Sequence, residues 1–157
     1  DGLSPDGTPD TRFRPNVFLA YYLAPGLFSK MIWKKALSTH SQRLFLEWGG
    51  LATLSSDHPL YQPFHTGIDD RSYHRGDSWY FLNNLAALSK HRLARRSFSF
   101  EVLRIMSAST SDILENGFAG HASEISSAKE RQGRGSLAQA WSAATFIELV
   151  LEYFSKK

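Results

Sequence analysis

The spacing of apolar residues restricts this chain's fold more than any single motif does. Near its end, Leu137, Ala140, Trp141, Ala144, Ile147, Leu151 and Phe154 recur at helical intervals, and Phe146, Val150 and Tyr153 add a second apolar row. A helix with two such rows is expected to be covered on two sides. The same rhythm recurs upstream, over Val17–Leu23, from Pro25 to about Phe45, from Asp77 or Ser78 into the basic run at 90–96, and from Ser97 to Asn116-Gly117. No two-residue alternation competes with it. The expectation is five helices joined by loops that alternate long and short, with no strands: an all-α chain.

Local chemistry sets the expected boundaries. Pro15 opens the first helix, where a missing N–H costs nothing, and Asp77 is a good N-cap for the third. The second helix places Phe28, Met31, Ile32 and Ala36 on one face. The third puts Trp79, Asn83 and Ala86 on one face and Phe81, Leu85 and Leu88 on another, while the fourth carries Phe98, Val102, Ile105, Met106 and Ile113. Between them, residues 49–75 contain Gly49, Gly50, Pro59, Pro63 and Gly67 and read as one long loop. Tyr61, Phe64 and Tyr73 argue that this loop is packed and functional rather than disordered. A second loop is punctuated by Gly117, Gly120, Gly133 and Gly135, surrounds Glu124, and gives way to the last helix near Ser136.

Composition excludes several classes of function. With 157 residues, 42% of them hydrophobic and 21% charged, the chain has material for one core and is read as a single region, 1–157. No run approaches the ~20 apolar residues of a membrane span, so no membrane partner is expected. The net charge of +3 is modest, and the first basic cluster falls at a helix end, where it complements the dipole; no nucleic-acid partner is expected. Zero cysteines rule out disulfides and thiolate metal sites and fit a cytoplasmic protein. His58, His65 and His74 have spacings that match no ligand pair, so no metal is expected, and no cofactor either. Four Trp, six Tyr and eleven Phe suit either a large helical core or the faces of sugar rings.

Three short segments carry a family resemblance. Ala122-Ser123-Glu124 followed by Ser136-Leu137-Ala138-Gln139-Ala140-Trp141-Ser142, Tyr73-His74-Arg75-Gly76-Asp77-Ser78-Trp79, and Asp10 with Arg14-Pro15-Asn16 resemble, in segments of this chain, the C-terminal part of the amylo-α-1,6-glucosidase domain of glycogen debranching enzymes, and their order matches too. That resemblance implies the C-terminal portion of an (α/α)6 toroid of helical hairpins, the rest lying upstream in a longer polypeptide. The turn-rich start without an initiator Met gives the same expectation. It also implies an inverting hydrolase of α-1,6 branch points in glycogen or limit dextrin, with Glu124 as general base and the general acid outside this chain.

The resemblance further implies a sugar-binding set: Asp10, Arg14 and Asn16 at the rim, His74, Asp77 and Trp79 around a stacking platform, and Gln139 and Trp141 on the last helix; Asn83, one turn beyond Trp79 in the expected helix, would face the same pocket. Lys129 or Arg131 would favour ionised Glu124 if either lies beside it. Read without the resemblance, Asp10, Arg14 and Asn16 are better taken as a capping and ion-pair cluster, and Glu124 as a surface carboxylate in a glycine-rich loop. Two alternatives to debranching stay open: a noncatalytic carbohydrate-binding or interaction half-domain, and a toroid hydrolase for another α-glucoside.

Overall fold

The computed structural model describes residues 2–68 and 70–155, and the five expected helices are all present. They are α1 (Asn16–Leu23), α2 (Lys30–Leu44), α3 (Tyr80–Ala94), α4 (Ser99–Ser111) and α5 (Ala140–Phe154). A 3-10 turn, Pro25–Leu27, separates α1 from α2, and α4 runs into a π-turn at Asp112–Asn116. None of these helices is long and apolar enough to cross a membrane.

Helix α3 is the centre. It packs against the other four, and Leu82, Leu85, Ala86, Ala87, Leu88 and Leu93 are buried on every side of it. Phe18 and Tyr21 of α1, Trp33, Leu37 and Leu44 of α2, Val102, Ile105 and Met106 of α4 and Leu149 of α5 complete one continuous core around it. A helix apolar on all faces is one that other elements enclose. Even Lys90 is fully buried there, its Nζ 2.6 Å from Glu101 Oε2 and above the rings of Phe18 and Phe45. Burial pulls the lysine well below its ordinary pKa, and Glu101 offsets that only in part.

Three expectations are corrected. The buried face of α2 is Trp33, Leu37, Ser41 and Leu44, whereas Met31 and Ile32 are exposed; Trp33 takes the inner position because its indole N–H donates to the Pro25 carbonyl at 2.9 Å and its ring packs edge-on against Tyr21 and Phe28. Helix α5 is covered along one side by α3 and α4, with only Ser142 and Leu149 fully buried, and its row Trp141, Ile147, Leu151 and Phe154 faces outward.

The third correction is that the chain is helix-rich without being purely α. Strands β1 (Gly2–Leu3) and β2 (Pro9–Asp10) pair antiparallel, and β3 (Ser78–Trp79), β4 (Ile125–Ser126) and β5 (Gly133–Arg134) form a three-stranded sheet in that order. Two-residue strands carry no alternation, so no sequence period announces them. The long loop after α2 is well packed, as expected: Leu51, Ala52, Thr53, Leu54, Ser55 and Ser72 are buried. It joins the sheet through a bridge between Ala52 and Ser78.

Candidate active site

The small sheet brings the two glycine-bounded stretches of the sequence together. Trp79 of β3 pairs with Ile125 of β4, which sets Glu124 beside the start of α3. The first amide of α3, on Tyr80, donates to the Glu124 carbonyl at 3.2 Å. One orphan donor of a helix start is thereby satisfied by the strand rather than by a cap. Asp77 is therefore not the N-cap expected of it: Trp79 holds that position, and Asp77 is fully buried two residues earlier.

Glu124 is half-buried and its carboxylate is gripped at both oxygens. The Tyr73 hydroxyl donates to Oε1, and the Ser136 amide donates to Oε2 at 2.8 Å. The Ser136 carbonyl in turn accepts from the Glu124 amide at 2.9 Å. Both backbone groups of Ser136 are thus committed to Glu124, and this is why α5 starts at Ala140 rather than at Ser136. Gly135 is tailored to the same carboxylate. Its φ is +69°, and a Cβ there would stand 2.4 Å from Oε2. Burial, and then the bond to Glu124, push the Tyr73 phenol far above its usual range, so it stays a donor at any working pH. Among the described residues, neither Lys129 nor Arg131 pairs with Glu124. Both line a separate cavity near Trp48 and Phe64.

Behind the carboxylate, Asp112 at the end of α4 accepts from the Ser123 amide at 2.8 Å, and Gln139 donates its amide to the Ala122 carbonyl at 2.8 Å. The three residues before β4 are thereby tied to α4, α5 and Ser136. A carboxylate held in this way is fixed in orientation, as a proton acceptor for a positioned water must be.

A cavity of about 460 Å³ has Trp79 in its wall; Glu124 does not line it and is connected to it through Tyr73. Arg14, Asn16, His74, Trp79 and Trp141, from three distant segments, meet in its wall together with Thr53, Phe81 and Leu82. The aromatic residues form a continuous row. The His74 imidazole stacks on Trp79 at 5.7 Å, Trp79 meets Phe81 edge-on at 5.9 Å, and Phe81 stacks on Trp141 at 4.4 Å. Trp141 is 52% exposed, with Phe81 on one face only, so it offers an open ring face. Arg14 is anchored by donating to the carbonyls of Thr53 and His74. Tyr73 links the cavity to Glu124: its ring packs at 4.5 Å on Trp79, its carbonyl accepts from the Trp79 indole at 3.0 Å, and its hydroxyl holds the carboxylate.

Four residues of the expected set lie outside this wall. Asp10 is clamped by Arg12 through bonds of 2.8 and 2.6 Å, which hold its carboxyl below the usual range. Asn83 is buried, and its amide oxygen accepts from the Leu51 amide at 3.0 Å while its nitrogen donates to Ser78 Oγ at 2.9 Å. It faces the long loop instead of the cavity, because Trp79 precedes α3 in extended backbone and so does not share a helix face with position 83. Gln139 accepts from Ser142 Oγ at 2.6 Å and lines a different cavity, with His121 and Ala122. Asp77 accepts from Ser72 Oγ at 2.9 Å and sits 2.7 Å from His65 Nδ1. Sequence reasoning gave no role to Tyr73, Phe81 or Thr53; Tyr73 alone was signalled, as the first residue of the Tyr-His segment.

The amylo-alpha-1,6-glucosidase family model matches residues 1–148. The chain belongs to that family. Among solved structures, it is similar to a GH63 mannosylglycerate hydrolase from Thermus thermophilus in complex with glucose, with a TM-score of 0.65 and 21% identity over 91% of this chain and 33% of that one. It is similar to the same hydrolase in complex with Tris at a TM-score of 0.63 and 17% identity, over 94% and 31% of the two chains. An uncharacterized conserved protein of the same organism gives a TM-score of 0.65 and 21% identity, over 91% and 32%. The chain thus spans about a third of the length of each, and shares its fold over that third. No curated protein matches it.

Proposed function

We propose that this chain is the base-bearing part of an (α/α)6 glycoside hydrolase that cleaves α-1,6 branch points in glycogen-type glucans with inversion. The observation that carries the reading is the carboxylate of Glu124, fixed by Tyr73 and Ser136, with Tyr73 in turn packed on Trp79 in the wall of an aromatic-lined cavity. Sugar rings pack on exposed aromatic faces such as that of Trp141, while Arg14, Asn16 and His74 offer polar groups to their hydroxyls. Inversion requires a carboxylic acid on the leaving oxygen and a carboxylate about 6.5–9.5 Å away that activates water from the opposite face. Glu124 is the second of these. The mechanism needs no cofactor.

The acid comes from the remainder of the toroid. The buried carboxyls nearest in the chain are engaged elsewhere: Asp77 with His65 and Ser72, and Asp112 with Ser123. The same remainder covers the outward apolar rows of α5 and of the α1–α2 corner, where Leu23, Leu27, Met31, Ile147, Leu151 and Phe154 are each more than half exposed. The test is to give the full enzyme containing this chain a phosphorylase limit dextrin and to follow the first-formed sugar by proton NMR. β-Glucose is expected. α-Glucose as first product refutes inversion, cleavage only of other α-glucosides refutes the branch-point specificity, and binding without release of sugar leaves the noncatalytic module.

A further inference from the structure

His65, whose spacing to the other histidines suits no metal, sits in a segment pinned on two sides. Gln62 donates its amide to the Arg75 carbonyl at 2.8 Å, and the Pro63 carbonyl accepts from Ser127 Oγ at 2.8 Å and from the Lys129 amide at 3.0 Å. A Cβ on Gly76 would fall 1.8 Å from the Gln62 carbonyl oxygen, so the turn at 72–77 and this segment are in direct backbone contact. Within that contact Asp77, with no exposed surface, reaches His65 Nδ1 at 2.7 Å while also accepting from Ser72 Oγ. A fully buried carboxylate spent on orienting an imidazole is costly unless the orientation matters.

The oriented edge is the other one. An ionised Asp77 only accepts, so it takes the Nδ1 proton, and in the neutral imidazole this leaves Nε2 as the acceptor. Nε2 has no protein partner among the described residues, and His65 lines a second cavity of about 280 Å³ with Gly67, Ile68, Asp70 and Tyr73. Tyr73 is common to both sites. It lines this cavity, packs on Trp79 and His74 of the first, and holds Glu124. Asp77 ties them together as well, since it fixes His65 and Ser72, the residue before Tyr73.

We infer that the cavity beside His65 is a subsite for a second sugar unit of the substrate, with His65 Nε2 accepting a hydrogen bond from a sugar hydroxyl. Asp77 is a positioning residue that acts through His65. The inference rests on the carbohydrate part of the proposed function and adds to it where the neighbouring unit is held.

In the full enzyme, His65→Asn keeps an amide donor near Asp77 but removes the Nε2 atom, so a merely structural histidine would be replaced with little effect. Two probes separate the units: isomaltose, two glucose units joined α-1,6, and α-D-glucosyl fluoride, which has one. His65→Asn and His65→Ala should raise KM for isomaltose about fivefold, the loss of one hydrogen bond, and leave kcat/KM for the fluoride within about twofold. His65→Gln, whose longer amide reaches the Nε2 position, should restore part of the loss. Calorimetric binding of isomaltose to a Glu124→Gln background reads the same fivefold loss without turnover. Unchanged isomaltose affinity on His65→Asn, equal losses on both probes, or no isomaltose binding to the background overturns the subsite. If Glu124→Gln leaves hydrolysis intact, the general-base reading falls while the His65 effect on affinity is still measured.

Discussion

The grip on Glu124 can be tested at a residue that makes no chemical contribution of its own. Gly135→Ala introduces a methyl carbon 2.4 Å from Oε2 and 3.1 Å from both Cβ and Cδ of Glu124. Ordinary contact begins near 3.4 Å, so the carboxylate must move by about 1 Å, and a displacement of that size at a reacting group costs on the order of a hundredfold in rate. The substitution also puts a side chain at φ +69°, a strain of about 1 kcal/mol. Gly120→Ala separates the two effects. Gly120 has φ +84° in the same loop, and nothing lies within 4 Å of its would-be Cβ. Steady-state kinetics and thermal unfolding of the full enzyme with both variants form the assay. Gly120→Ala should lower stability by about 1 kcal/mol and leave kcat alone, whereas Gly135→Ala should lose about a hundredfold in kcat at a comparable stability cost. Equal kcat in the two variants would refute the claim that the position of the Glu124 carboxylate governs turnover.

Trp141→Ala should raise KM for oligosaccharides several-fold with the fold intact, because its exposed face stacks on a sugar worth ~1 kcal/mol; unchanged KM with reduced stability would make it a packing residue. Trp79→Ala should act on kcat as well as KM, because the indole N–H holds Tyr73 and Tyr73 holds Glu124; a pure KM effect would break that chain. Asn83→Ala should destabilise by about 1 kcal/mol, read by denaturant unfolding, because it removes a buried side chain bonded to both the Leu51 amide and Ser78 Oγ, with KM unchanged; altered KM would return Asn83 to the binding set. Burial lowers the pKa of Lys90, so between that lowered value and the ordinary ~10.4 the unfolded chain holds more protons, and stability should rise with pH in that window. Lys90→Met should remove that rise in alkaline unfolding curves, and an identical slope in the two proteins would refute it.

How much of this was legible in the sequence follows from which interactions leave a period. The helices were, because i, i+3, i+4 spacing is a local signal, and α3 and α4 lie close to their expected places. The packed face of α2 was not, since Trp33 was drawn inward by a carbonyl eight residues away, and the cover over α5 was overestimated because an apolar row does not say which neighbour buries it. The sheet left no trace at all: its register joins residues far apart in the chain, Trp79 with Ile125, through two-residue strands. That sheet sets Glu124 against Trp79, so the site's composition could be read while its assembly could not. Arg14, Asn16, His74, Trp79 and Trp141 do share a cavity wall, whereas Asp77, placed by the resemblance, and Asn83, placed by its spacing from Trp79, are buried away from it.

The central claim is that Glu124 accepts the proton of the attacking water. Glu124→Gln preserves side-chain shape and still allows hydrogen bonds with Tyr73 and Ser136, and it removes the basic oxygen. Measured on a limit dextrin with the full enzyme, kcat should fall by about 10²–10⁴ while KM stays within about twofold. A variant that retains wild-type kcat, or that loses activity only through a raised KM, would show that the base is another residue.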